Sequence, residues 1–185
     1  MNQTLERKPF FGSGEVQGVL SEQIIPAVPG EYYAYPHEFT KERRLYVLMK
    51  CKSNKARAIK EVGDLGREAN FLFLFDGPNQ ARILGIKEAQ ARGLLGSFAK
   101  GELFDESWVA PAGITAESFH KLYSNKNVSA LVDTCKLACA DRRVSVTLKR
   151  GVVIAMMTSG GKYGLFLVNK LTSSSISVDA CHILL

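Results

Sequence analysis

The sequence has few of the residues that build disulfide frameworks, metal centres or catalytic dyads. It contains four cysteines, three histidines and one tryptophan among 185 residues. The cysteines are widely spaced in a chain long enough to form its own hydrophobic core, so we expect free thiols in a reducing compartment rather than disulfides. The four are Cys51, Cys135, Cys139 and Cys181.

Long hydrophobic runs are also missing. The longest uninterrupted apolar runs are residues 71–75 and 152–157. A membrane-spanning helix needs about 20 apolar residues, so we predict no membrane span. The N-terminal segment carries charges where a secretory signal would carry an apolar stretch, so we expect a cytoplasmic protein.

Motifs that would indicate a cofactor or a reaction are absent. The sequence has no Walker loop, dinucleotide fingerprint, GxSxG elbow, HExxH or EF-hand loop. A zinc site would have to combine Cys135 and Cys139 with Cys181 and His182. The first two have the spacing of an apolar helix stripe, and the last two are strand neighbours that point to opposite faces. We therefore predict no metal and no cofactor.

A cysteine-dependent hydrolase is the enzymatic alternative. Cys51 lies between Lys50 and Lys52, whose positive charges favour the thiolate. Cys181 is the other candidate nucleophile. The candidate bases are His37, His120 and His182. No local signature links a cysteine to a histidine, so the sequence favours a protein that is not an enzyme.

Positive charge is concentrated in two places. The net charge is +6, yet residues 41–60 alone hold eight basic side chains and one acidic one. A second basic group lies at residues 142–150. Clustered positive charge attracts polyanions and acidic partners.

The middle of the chain predicts a compact series of strands. Residues 45–49 are typical of a strand, and Ser53 or Asn54 begins either a helix to residue 62 or a hairpin. Residues 71–75 are apolar at every position, which predicts a strand covered on both faces. A turn at 76–79 then leads into a returning strand at 81–86.

Three helices are predicted after this hairpin. The first spans residues 87–100, with Gly101 as its C-cap. A loop at 104–115, which contains Trp108, leads to a short helix at 116–123. Asn127 then caps a third helix, which carries an apolar stripe.

From residue 144 the hydrophobic period changes to two. Strands are predicted at 144–148, 152–158, 163–171 and from 176 to the end, joined by short turns. This pattern predicts a C-terminal four-stranded antiparallel meander.

The expected fold class is α+β, in which mixed N-terminal strands and helices pack with the meander. A meander that curls on itself would form a small barrel of SH3-like or OB-like architecture. We divide the chain into an irregular N-terminal arm (1–40), an α+β body (41–140) and the meander (141–185), with the last two forming one compact unit.

The favoured function is a non-enzymatic binding protein whose basic surface engages nucleic acid or an acidic protein. A small inhibitor, immunity or adaptor protein that acts through an apolar and aromatic patch is the alternative. Tyrosines beside the basic groups would offer stacking faces to bases, or they would cover the edge of the core. The candidate binding residues are Arg43, Arg44, Lys50, Lys52, Lys55, Arg57, Arg142, Arg143, Lys149, Arg150, Tyr32, Tyr33 and Tyr35.

Overall fold

The computed structural model describes residues 31–46, 48, 57–58 and 68–184. Over these residues the chain forms two five-stranded sheets, in which every pair of neighbouring strands is antiparallel. Sheet 1 has the order β1-β10-β9-β8-β6 and sheet 2 the order β3-β2-β4-β5-β7. The strands are β1 Tyr32–Thr40, β2 Arg43–Tyr46, β3 Arg57–Ala58, β4 Phe71–Gly77, β5 Gln80–Gly85, β6 Ser107–Pro111, β7 Ser145–Leu148, β8 Val153–Thr158, β9 Lys162–Leu171 and β10 Ser175–Leu184.

The two sheets pack face to face through aromatic side chains. Phe73 of sheet 2 stacks on Phe39 of sheet 1, with the ring centroids 3.8 Å apart. Phe73 also approaches Phe166 of β9, with the ring centroids 5.8 Å apart. The main core therefore lies between the sheets, and neither sheet closes into a barrel over the described residues.

Helices cover the two outer faces. They are α1 Ile86–Ala91, α2 Ala116–Asn125 and α3 Val128–Ala138. Helices α2 and α3 pack on sheet 1, where Cys135 lies against the carbonyl of Gly164. Helix α1 packs on sheet 2, where Ile86 joins Leu72 in a second apolar cluster.

The prediction for residues 71–75 is confirmed. In β4, Phe71 and Phe73 face the core between the sheets, and Leu72 faces the cluster under α1. A strand with apolar side chains on both faces is stable here because protein covers both faces. The predicted turn and the returning strand are also present, as β4 and β5 pair antiparallel.

The prediction of a four-stranded meander is wrong for its first strand. β8, β9 and β10 do form a meander, but β7 pairs with β5 in the other sheet. The turn at 149–152 therefore carries the chain from sheet 2 to sheet 1, with Gly151 at a φ of 79°. An alternation of apolar residues predicts which face of a strand is buried, but it does not determine which strand pairs with it.

The first predicted helix is shorter than expected. Helix α1 ends at Ala91, and Gly93 and Gly96 adopt φ values of 69° and 78°. These left-handed conformations favour glycine and interrupt a right-handed helix. A 3₁₀ turn, Ser97–Ala99, follows.

Two segments contain strands at positions where the sequence did not predict them. Trp108 lies in β6 at the edge of sheet 1, within the predicted loop at 104–115. Residues 32–40 of the predicted N-terminal arm form β1, which pairs along its whole length with β10. The helix or hairpin predicted from Ser53 or Asn54, and most of the N-terminal arm, lie outside the described residues.

The other two helices match their predictions closely. The side chains of Thr115 and Asn127 cap α2 and α3 by accepting hydrogen bonds from the backbone. Helix α2 continues to Asn125, two residues past its predicted end. Within the described residues no helix has the length and apolar composition that crossing a membrane requires.

Candidate functional site

One end of the sandwich collects the turns that join strands within and between the sheets. Because neighbouring strands are antiparallel, β2 and β5 begin where β4 and β7 end. In sheet 1, β1 and β9 end where β8 and β10 begin. The β1–β2 and β7–β8 turns connect the two sheets, so both sheets have these strand ends at the same end of the molecule.

Positive charge is concentrated at this end. Over the turns and the two strand residues beside each, six side chains are basic and two are acidic, a net charge of +4. We call this surface the basic end. Its basic residues are Lys41, Arg43, Arg44, Lys149, Arg150 and Lys170, and its acidic residues are Glu42 and Asp76.

The basic end has two separate groups of side chains. The β1–β2 cluster is Lys41, Arg43 and Arg44, and the β7–β8 cluster is Lys149, Arg150 and Lys170. In sheet 2, β4 and β5 lie between β2 and β7, so three strand spacings of about 4.8 Å place the start of β2 about 14 Å from the end of β7. Lys170 lies on β9 in sheet 1, two strand spacings from β1.

In sheet 2, the surface between the clusters carries no net charge. Arg82 binds both carboxylate oxygens of Asp76, at 2.7 Å and 2.9 Å. These hydrogen bonds lower the pKa of Asp76, so the pair cancels in charge at neutral pH. The tip of the β4–β5 hairpin, Pro78 to Gln80, is exposed and uncharged.

Arg44 differs from the other basic residues because it is half-buried. It lies on β2 one residue before Leu45, which packs in the cluster under α1, so its own side chain starts on the opposite, inner face. Its Nε is buried without a hydrogen-bond partner. Burial lowers the pKa of this guanidinium from its ordinary value.

Two of the predicted basic residues, Arg142 and Arg143, are not brought to this end. Arg142 and Arg143 precede β7 and therefore lie at the opposite end of the strand from Lys149. Arg142 lies over the Trp108 ring, 5.1 Å from its centroid, and Arg143 pairs with Asp141 at 3.3 Å. Arg57 lies in β3, which pairs with β2 so that the next residue, Ala58, lies opposite Arg43. Lys50, Lys52 and Lys55 fall outside the described residues.

The three candidate tyrosines belong to the core and its edge. Tyr32 and Tyr33 are buried, and Tyr35 is half-buried. The Tyr32 hydroxyl donates to the carbonyl of Leu122 in α2. Of the two roles open to these tyrosines, their burial favours the core role.

A buried polar network that sequence reasoning missed joins the two sheets. The Tyr35 hydroxyl lies 2.6 Å from that of Tyr46 and 2.9 Å from Nδ1 of His182. His37 lies beside Tyr35 and Tyr46 at centroid distances of 6.1 Å and 5.8 Å. The period-two spacing of 33, 35, 37 and 39 signals one strand face, but only the tertiary fold shows that this face is buried.

Both histidines of this network are held neutral. Burial lowers the pKa of His37 to about 4 and that of His182 to about 3. The Nε2 atoms of both rings are buried without a hydrogen-bond partner. Since the uncharged imidazole is favoured in such surroundings, protonation of these rings in acid destabilises the fold.

The described thiols are not activated. Cys135, Cys139 and Cys181 are buried, and burial raises the pKa of each; Cys139 and Cys181 reach about 12. Cys181 and His182 are adjacent in β10 and point to opposite faces of sheet 1. Cys51 lies outside the described residues. Within the described part of the chain, no group of three or more His, Cys, Asp or Glu side chains is placed to hold a metal ion.

Exposed apolar side chains are sparse in the described part of the chain. The large exposed hydrophobic residues there are Leu103, in the loop before β6, and Leu137, on α3. Isolated residues of this kind are ordinary on protein surfaces and do not make a contiguous patch.

Comparisons of the chain with protein-family models, with curated proteins and with solved structures found no match.

Proposed function

We propose that this protein is a non-enzymatic nucleic-acid-binding protein that contacts phosphates with its basic end. The observation that carries the proposal is the convergence of two basic clusters, distant in sequence, on one end of the sandwich. When exposed lysine and arginine side chains contact phosphates, counterions are released from the nucleic acid. This release provides affinity that does not depend on base sequence. The described thiols, at Cys135, Cys139 and Cys181, are buried and protonated, so they give no support to a cysteine-dependent reaction at those three positions.

Binding to fluorescein-labelled DNA, measured by anisotropy at 50 mM and 200 mM salt, tests the proposal. We expect binding at 50 mM that weakens with salt, because each phosphate contact adds about 0.9 to the log–log salt slope. The double variant Arg43→Glu/Arg150→Glu removes one contact from each cluster. Its slope should fall by about 2 relative to the wild type.

The matched control is Lys100→Glu/Lys121→Glu, which changes the net charge by the same amount away from the basic end. Lys100 and Lys121 are exposed, and the second pairs with Glu117 on α2. The control should retain binding. The proposal fails if the wild type does not bind at 50 mM salt, or if both double variants lose affinity equally.

An acidic protein is the competing partner for a basic surface. Polyglutamate of matched charge therefore belongs in the same titration, as a competitor against labelled DNA. Displacement of DNA at equal or lower charge concentration would replace the nucleic-acid assignment with an acidic protein.

A further inference from the structure

We propose, building on the function above, that the nucleic acid is a DNA duplex, which the two basic clusters bind on either side of one groove. The β1–β2 cluster contacts one phosphate row, and the β7–β8 cluster contacts the other. The uncharged tip of the β4–β5 hairpin lies over the groove between them.

The spacing of the charges carries this inference. A single strand presents one row of phosphates and is best followed by a continuous basic track. In sheet 2, the basic end instead has the start of β2 and the end of β7 about 14 Å apart, separated by the neutral Asp76–Arg82 pair. The major groove of B-form DNA is about 12 Å wide, so its two phosphate rows have a comparable separation.

The position of the aromatic rings supports the same inference. Proteins that bind single strands stack bases on exposed aromatic side chains, each stack contributing about 1–3 kcal/mol. Among the phenylalanine, tyrosine and tryptophan side chains that the structure describes, none is exposed. Phe75, the aromatic residue nearest the hairpin tip in sequence, packs against the core between the sheets. Phosphate contacts alone suit a duplex, whose bases are already stacked.

The tip of the hairpin between the clusters is compact. Pro78 and Asn79 form a two-residue turn that joins β4 to β5. Because Pro78 and Asn79 carry no charge, the tip adds no repulsion against the phosphate rows on either side.

The experiment compares a 20-base-pair DNA duplex with each of its separate strands, by anisotropy at one salt concentration. We expect the duplex to bind at least ten-fold more tightly than either strand. Arg43→Glu and Arg150→Glu, tested singly, should each lower the salt slope for the duplex by about 0.9. Lys100→Glu should leave that slope unchanged.

The outcomes separate this inference from the proposed function. Equal or tighter binding to a single strand, still weakened by both variants, overturns the duplex and leaves nucleic-acid binding intact. A loss confined to one variant overturns the two-row contact. Absence of binding to duplex and strands alike overturns both proposals.

Discussion

At the scale of single residues, the most consequential feature is the pair of uncharged histidines between the sheets. His182 is fully buried, and its Nδ1 meets the hydroxyl of Tyr35. His37 lies against Tyr46 and Phe39 and makes no hydrogen bond through its Nε2. A buried nitrogen without a partner costs stability, and the cost grows when the ring must also accept a proton.

The stability of the fold should therefore fall in acid. Below about pH 6.5 the unfolded chain protonates His37, whereas the folded chain resists until about pH 4. Protons then favour unfolding, so the free energy of unfolding decreases as pH falls through this window, by up to about 1.4 kcal/mol per pH unit for one histidine. His37→Phe keeps the ring and removes the buried nitrogens. We expect it to be more stable than the wild type at pH 5 and to show a shallower pH dependence.

Urea unfolding at pH 7, 6, 5 and 4.5 measures this effect. The control is His120→Asn, because His120 is exposed on α2. Its stability should change with pH as the wild type does. Parallel curves for His37→Phe and the wild type would show that burial of His37 does not govern acid stability.

At the scale of elements, the two sheets meet closely where β5 passes β6. The Gly85 amide donates to the carbonyl of Val144 at 2.8 Å, just before β7 begins. On its other side, Gly85 lies so close to Ser107 that a Cβ atom would overlap the Ser107 carbonyl oxygen. This contact sets the distance between sheet 2 and the β6 edge of sheet 1.

Gly85→Ala should therefore destabilise the fold strongly. The Gly85 φ of −59° is allowed for alanine, so the cost is steric rather than conformational. Backbone cannot move aside as a side chain does, and we expect a loss of about 3 kcal/mol in the free energy of unfolding. Gly164→Ala is the comparison, because its Cβ would meet the flexible ends of Leu48 and Met156 at 2.9 Å and 3.1 Å. Equal losses in chemical denaturation would contradict the steric argument.

The elements show what sequence patterns can and cannot predict. The caps at Thr115 and Asn127 and the apolar run of β4 were predictable because each depends on neighbouring residues. The partner of β7 was not predictable, since its alternating pattern suits either sheet. The end of α1 was not predictable either. Gly93 and Gly96, which follow the helix, adopt left-handed conformations that glycine permits but does not require.

At the scale of the whole molecule, the fold redistributes the charge that the sequence displays. Residues 142–150 form one basic group in sequence, but β7 separates Arg142 and Arg143 from Lys149 and Arg150. Lys170, which sequence reasoning did not include, joins the latter two through the pairing of β8 with β9. Strand topology therefore determines the candidate surface, and no local signal in the sequence specifies that topology.

The most direct test of the basic end is an NMR titration of the ¹⁵N-labelled protein with a short DNA duplex. We predict that amide shifts will concentrate in residues 40–44, 79–80, 148–152 and 169–171. Residues 141–143, which are also basic but lie at the other end of β7, should stay unchanged. Shifts centred on Arg142 and Arg143, or no shifts in the presence of excess duplex at 50 mM salt, would contradict the account.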